Sequence, residues 1–364
     1  MINLSRRLQR IENSGYIWRL VEERKKGIVS SNIIDFIPGY TNFYVSPPKI
    51  DLKIRRYIDP QGYRPLREKI AQLESAKVDI PFTSEDVLIT AGTTIALYHL
   101  SQCLFNEEDE ILTSTPYWHL YPTIFGLSCK FGTTINSSVK AVLINSPSYC
   151  GDVFEESYLK YLAMLARENG WYVISDDVFD IYFFKNETLP RVGLVFRDFD
   201  RLVIVNSPSK SYNVGGWRIG YCVTKNHELL KAMYWHQVNT SYGASTLSQI
   251  AYLKVLENKV SYDLDITDLK NRRDYLVSNL RSMGFECKTP EGGVGVFPRS
   301  SNFYKSLGVR NSDEFTLFLL DKAQVIIGSG SRCGDDSHSY LSFGIPVEKL
   351  EEGIYRLRRC LNNA

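Results

Sequence analysis

The chain has 364 residues, 44% of them hydrophobic and 23% charged, which excludes a disordered chain and suits a two-lobed globular protein. Lys and Arg number 43 against 41 Asp and Glu, a net charge of +2 that gives no nucleic-acid footprint. No apolar run approaches the roughly 20 residues of a membrane-spanning helix, and no apolar leader follows the start, so a cytoplasmic protein without membrane or nucleic-acid partners is expected. Cys103, Cys129, Cys150, Cys222, Cys287, Cys333 and Cys360 are scattered with no CxxC pair. They read as reduced thiols, neither disulfides nor metal ligands.

In chain order, the first predicted element is a helix over 16–26. Residues 1–38 are too few to fold alone and read as an arm that packs on the smaller domain or on a partner subunit. Strands are predicted at 86–90 (DVLIT), 110–113, 141–145, 171–175, 202–206 and 220–224. All are apolar runs, as expected of strands buried on both faces of a mainly parallel sheet. Segments 94–103, 117–126 and 157–169 between them carry helical spacing. Residues 39–252 therefore form an α/β, doubly wound, mainly parallel sheet domain. Helices at 247–258 and 261–283, strands at 292–298 and 324–327 and a helix at 347–361 follow. They predict a smaller α+β C-terminal domain over 253–364.

The strongest chemical signal is SPSKSYNVGGWRIGY, Ser207 to Tyr221, directly after the strand 202–206. Its polar side chains emerge at a strand end, where α/β folds place ligands. Lys210 stands between Ser209 and Ser211; partly desolvated, it is an amine nucleophile able to form a Schiff base with an aldehyde cofactor. Arg218 follows the Gly215-Gly216 pair that turns the chain back, and its fork suits a phosphate. A solvated surface loop is the plain alternative for Lys and Arg here.

This stretch resembles the cofactor-lysine motif SxSKxxxxxGxRxGY of the class I/II aminotransferases, fold-type I enzymes that use pyridoxal 5'-phosphate. Further landmarks come in the family's order. Thr90-Ala91-Gly92-Thr93-Thr94 joins a strand to a helix, whose first N–H groups bind anions; a plain N-cap by Thr93 reads as well taken alone. The resemblance implies that Gly92, Thr93, Thr94, Ser207, Ser209 and Arg218 hold the cofactor phosphate. It places Trp118 over the pyridine ring, and Asp176, at a buried strand end, against the ring nitrogen. Lys210 and Asp176 are then the catalytic pair. In Tyr57-Ile58-Asp59-Pro60-Gln61-Gly62-Tyr63-Arg64-Pro65-Leu66-Arg67, Tyr57 matches a tyrosine that reaches the neighbour's phosphate, which implies a homodimer with shared sites. Gly39 matches a glycine at the substrate entrance.

The pattern breaks in four places. The family's NPxNPTG loop reads Asn145-Ser146-Pro147-Ser148-Tyr149-Cys150-Gly151; anchored on Gly151, Ser148 takes the second Asn's cofactor-binding place, and with one gap Tyr149 does. Phe179 stands where the family usually has Tyr. Segment 126–141 is short. Tyr340 replaces the arginine that binds the substrate carboxylate and cannot form its bidentate bridge. Arg299 or Arg332 is a candidate substitute; each also reads as a solvated surface charge. The cofactor site is thus expected intact and the substrate site rebuilt. An aminotransferase acting on a small amino acid and a keto acid is the first expectation. Elimination or cyclisation of a hydroxylated arginine is a second, because 292–299 (GGVGVFPR) with 28–31 (IVSS) is similar to capreomycidine synthases. A non-catalytic cofactor-binding regulator is a third, although it carries an added DNA-binding domain for which the length leaves no room.

Overall fold

Apolar runs in the middle of the chain become strands covered on both faces. The computed structural model describes residues 16–26, 32–37, 39, 45, 48–51, 53–257 and 266–362. A two-residue strand, β1 (Ile34–Asp35), precedes the main sheet. That sheet comprises β2 (Val87–Thr90), β3 (Glu110–Thr113), β4 (Lys130–Gly132), β5 (Val139–Ile144), β6 (Tyr172–Asp176), β7 (Leu202–Asn206) and β8 (Gly220–Val223). Their spatial order is β2-β8-β7-β6-β5-β3-β4, with β8 antiparallel to both neighbours and the remaining pairs parallel.

Alternate residues of one strand serve two cores, as the period of two requires. Ala141 and Leu143 of β5 pack with Leu97 and Leu100 of helix Thr93–Leu104 and Met233 of helix His227–Thr240. Val142 and Ile144 face the other way, onto Leu159, Leu162 and Ala166 of helix Glu156–Asn169. Helices on both faces of a mostly parallel sheet make the doubly wound α/β fold that the sequence predicts.

Past the main sheet, β9 (Gly295–Val296), β11 (Gly328–Ser329) and β12 (Ser339–Ser342) form an antiparallel sheet in the order β11-β12-β9, while β10 (Val325–Ile326) pairs parallel with β1. Helices Ile266–Ser282, Ser312–Ala323 and Val347–Asn362 bury Leu276, Leu280, Phe315, Leu319, Ile354 and Leu357 against Leu341 and Phe343. Helix Tyr16–Lys25 sets Val21 among Leu317, Leu320 and Ile326. The division expected after residue 252 falls inside helix Thr246–Glu257, whose Tyr252, Leu253, Val255 and Leu256 pack with Leu66 and Ile70.

Differences from the expected elements have local causes. The helix expected over 117–126 shrinks to Tyr121–Phe125, because Pro122 sets its start and the preceding turn is tied elsewhere by Tyr117 N donating to Cys333 O at 3.1 Å. Strand 324–327 loses Gln324 to a left-handed cap (φ 55°) on helix Ser312–Ala323. Strand 292–298 keeps only β9. β4, three residues at the sheet edge, is too short to show a period. The expected segments 28–31 and 261–265 lie outside the described residues. Among the described residues no helix is long and apolar enough to cross a membrane.

Candidate active site

Turns after β2, β3, β5, β6 and β7, and the approach to antiparallel β8, all meet at one edge of the main sheet. They enclose a cavity of about 370 Å³, a size that suits a small cofactor. Its walls carry Thr93 and Thr94, Trp118, Asn145, Tyr149, Asp176, Ser209, Lys210 and Arg218.

β7 ends at Asn206 and the chain enters a one-turn helix, Pro208–Ser211, capped by Ser207 Oγ, which accepts from Ser209 N at 3.3 Å. Lys210 projects from this turn. Its Nζ donates to the Gly39 carbonyl at 2.9 Å and lies 5.9 Å from the Phe179 ring centroid. Burial draws its ammonium down to about 8, so a useful fraction is free amine near neutrality. A folded value of about 8 below the ordinary 10.5 means that the buried ammonium costs stability below pH 8 and stops costing as pH passes 10.5. Lys210→Met apoprotein should therefore be more stable than wild type at pH 7, by up to about 3 kcal/mol, and match it near pH 11. Chemical denaturation of both apoproteins across this range checks it; equal stability at pH 7 contradicts the burial argument.

Asp176 closes β6 and is buried. Its Oδ2 accepts from the Tyr121 hydroxyl at 2.7 Å and its Oδ1 from Val178 N at 3.3 Å, while Asn145 Nδ2 holds its carbonyl at 2.8 Å. Burial nevertheless raises its carboxyl to about 6, against the lowering effect of those hydrogen bonds. Among the described residues no ion pair reaches it. A buried carboxylate with this balance is suited to a cationic N–H.

The third element is an anion cradle. Gly92, at φ 94°, precedes helix Thr93–Leu104, whose first-turn N–H groups have no acceptor within the helix. Arg218, left-handed at φ 50°, donates from Nη1 to Gly215 O at 3.0 Å and from Nη2 to Ala91 O at 3.4 Å. A Cβ on Gly92 would lie 2.7 Å from Arg218 Nη2, and one on Gly220 2.6 Å from Thr93 N. Both glycines are needed for β8, the guanidinium and the helix start to meet. A buried carboxylate, an amine of depressed pKa and a phosphate-sized cradle around one cavity fit pyridoxal 5'-phosphate.

Residues 50–357 match the sequence profile of the aminotransferase class I and II family. This chain belongs to that family. Its members depend on pyridoxal 5'-phosphate, and the chain is a pyridoxal phosphate-dependent aminotransferase. An aspartate aminotransferase of Thermotoga maritima is 29% identical over 367 residues, covering 93% of each chain. A (5-formylfuran-3-yl)methyl phosphate transaminase of Methanocaldococcus jannaschii is 26% identical, covering 99% of this chain and 100% of that one. The crystal structure of the Thermotoga maritima aspartate aminotransferase superposes with a TM-score of 0.83 at 27% identity, covering 99% of this chain and 100% of its own. That of the Thermus thermophilus enzyme with maleate gives 0.87 at 24% identity and the same coverage, a likeness of fold. The cyclase and regulator readings find no support among these relatives.

In this aminotransferase several expected site residues stand away from the cavity. Ser207 is buried and spends its hydroxyl on the cap. Ser148 Oγ accepts from Asp152 N at 3.0 Å, while Tyr149 lines the wall. Tyr57 is 88% exposed, with its ring against Tyr242 at 5.2 Å. Arg299 borders a separate groove of about 860 Å³ and donates from Nε to Ser301 Oγ at 3.1 Å. Tyr340 is wholly buried and stacks on Tyr149, with ring centroids 4.0 Å apart. Gly39 meets Lys210 through its carbonyl. Sequence reasoning missed Tyr121 and Asn145, the residues that hold Asp176. Tyr121 reaches Asp176 across 55 residues of sequence, so no local signal marks it.

Proposed function

We propose that this aminotransferase moves the amino group of a monocarboxylic amino acid with a long uncharged or basic side chain onto a 2-oxo acid. The observation that carries it is the meeting of Lys210, Asp176 and Arg218 on one cavity. Bound pyridoxal phosphate supplies the electron sink that lets the substrate's Cα give up its proton. Lys210 Nζ, the lysine that holds the cofactor covalently, takes that proton and returns it, as its depressed pKa allows. Asp176, fixed by Tyr121 and Val178, would pair with a positive ring nitrogen of the bound cofactor. Arg218, the helix start at Thr93 and Thr94, and Ser209 would hold its phosphate, Trp118 would supply a flat face for its ring, and Tyr149 would supply a hydroxyl for its phenolic oxygen. Several relatives are named aspartate aminotransferases. The stacked, uncharged Tyr149 and Tyr340 give a second carboxylate no partner there, which favours other side chains.

The test is a panel of amino acids with and without 2-oxoglutarate. Each donor alone should yield one equivalent of its oxo acid per site and stop, and added 2-oxo acid should restart turnover. Continued product release without an acceptor overturns transamination; efficient use of aspartate or glutamate overturns the substrate class.

The cradle makes a further prediction. Gly92→Ala should displace the guanidinium of Arg218 and weaken pyridoxal phosphate binding roughly 10- to 100-fold, the worth of one charge-assisted hydrogen bond. Titration of apoprotein with the cofactor checks this, and unchanged affinity contradicts it.

The same reading takes residues 39–252 as the cofactor-holding domain, 253–364 as the smaller domain and 1–38 as an arm. It makes the enzyme a cytoplasmic homodimer in which Tyr57 reaches the neighbour's phosphate. Exposure of Tyr57, Tyr242 and Trp235 supports such a contact. Sedimentation should find a dimer at assay concentration, whereas an active monomer contradicts it.

A further inference from the structure

We propose that Arg332 reads the substrate's carboxylate, an inference that rests on the transaminase reading above. The 3₁₀ turn Gly330–Cys333 follows β11 and lies flush on the turn after β3. Cys333 O accepts from Tyr117 N at 3.1 Å, and a Cβ on Gly334 would come within 2.6 Å of the Tyr117 ring and 3.1 Å of Thr115 Oγ1. This close seating brings Arg332, from the C-terminal part of the chain, near enough to His119 for its charge to act on that imidazole.

His119 marks the spot. Its ring lies 5.8 Å from the Trp118 ring and 5.8 Å from the Tyr149 ring, both of which line the cavity. Burial lowers its imidazole to about 4, and the charges of Arg332 and Lys210 push the same way. His119 is therefore neutral at pH 7 and feels the charges of both Arg332 and Lys210.

The guanidinium is also steered. Arg332 Nη2 donates to Asp313 Oδ2 at 3.5 Å, and the other oxygen of that carboxylate accepts from Ser331 Oγ at 2.9 Å and Ser329 Oγ at 2.5 Å. The contact orients a planar fork of five donors, the geometry that suits a carboxylate.

Rival groups are committed elsewhere. Arg218 is tied to Gly215 and Ala91 in the cradle. Arg299 lies in the separate groove with Glu286 and Asp335. At position 340, the ring abuts Gly295, where a Cβ would come within 2.6 Å of Cζ, and burial pushes the phenols of Tyr340 and Tyr149 upward, so this wall carries no charge. A carboxylate on an amino acid whose Cα lies near Lys210 finds its cation in Arg332.

The experiment uses holoenzyme and an unreactive pair of equal shape, 4-methylpentanoate and 4-methylpentanamide, in calorimetric titrations alongside steady-state kinetics with the best donor. Wild type should bind the acid more tightly than the amide. Arg332→Gln should weaken the acid roughly 10- to 100-fold and leave the amide within about twofold, and Arg332→Lys should recover part of the loss. The donor's KM should rise more than kcat falls. Arg299→Gln should change neither ligand. Equal binding of acid and amide by wild type, an unchanged acid preference in Arg332→Gln, or its loss in Arg299→Gln overturns the assignment. A separate portion of each protein is reduced with borohydride and mapped; cofactor that is absent from Lys210 in wild type sinks the transaminase reading itself, whereas labelled Lys210 with any of those three results from the unreduced holoenzyme sinks only Arg332.

Discussion

Lys210→Ala should lose turnover by roughly 10,000-fold, the upper end of what a positioned proton-transfer group contributes. The effect is large because one atom, Nζ, is asked both to hold the cofactor and to move the Cα proton, and no other lysine lines the cavity among the described residues. The same variant should still bind pyridoxal phosphate, since Arg218 and the helix start at Thr93 are untouched. Cofactor retained after gel filtration, read by absorbance, with turnover lost, is the expected pair of results. Turnover within tenfold of wild type contradicts the role of Lys210.

Asp176→Asn should be nearly as damaging, roughly 100- to 1,000-fold in kcat/KM, because it removes the charge from a buried partner of a cationic nitrogen. The asparagine keeps the shape and can still accept from Tyr121, so the loss reports charge rather than packing. Tyr121→Phe should cost far less, about tenfold, since it deletes one hydrogen bond to that charge. It should also raise the carboxyl further from its value of about 6, because that hydrogen bond lowers it, and so shift the acid limb of the pH–rate profile of kcat/KM upward. Equal rates for wild type and Asp176→Asn would remove the carboxylate from the reaction.

How far the sequence disclosed this arrangement depended on how local each signal was. The six long strands of the main sheet were legible because burial on both faces leaves unbroken apolar runs such as Leu202 to Asn206. Lys210 and Arg218 were legible because a glycine pair and a strand end stand within a few residues of each other. β4 was not, being three residues at an edge with Lys130 exposed. Asp176 could be singled out as a buried carboxylate, but Tyr121 donates to it across 55 residues of sequence and has no local mark. The choice between Ser148 and Tyr149 also had no local answer. The proposed preference for Tyr149 rests on contacts made in the fold: Asp152 N draws on the Ser148 hydroxyl, and Tyr340 stacks behind Tyr149 in space left by Gly295. Arg299 and Arg332 look alike in sequence; the separate groove that Arg299 borders and the seating of Cys333 on Tyr117 are what distinguish them in the fold.

Borohydride reduction of holoenzyme followed by peptide mapping tests the cavity as a cofactor site most directly. Reduction should fix one pyridoxyl phosphate per chain, on the peptide that contains Lys210, and the Lys210→Ala protein should take up none covalently. Label on any other lysine, or no label after reconstitution with the cofactor, would contradict the assignment of Lys210 and the site built around it.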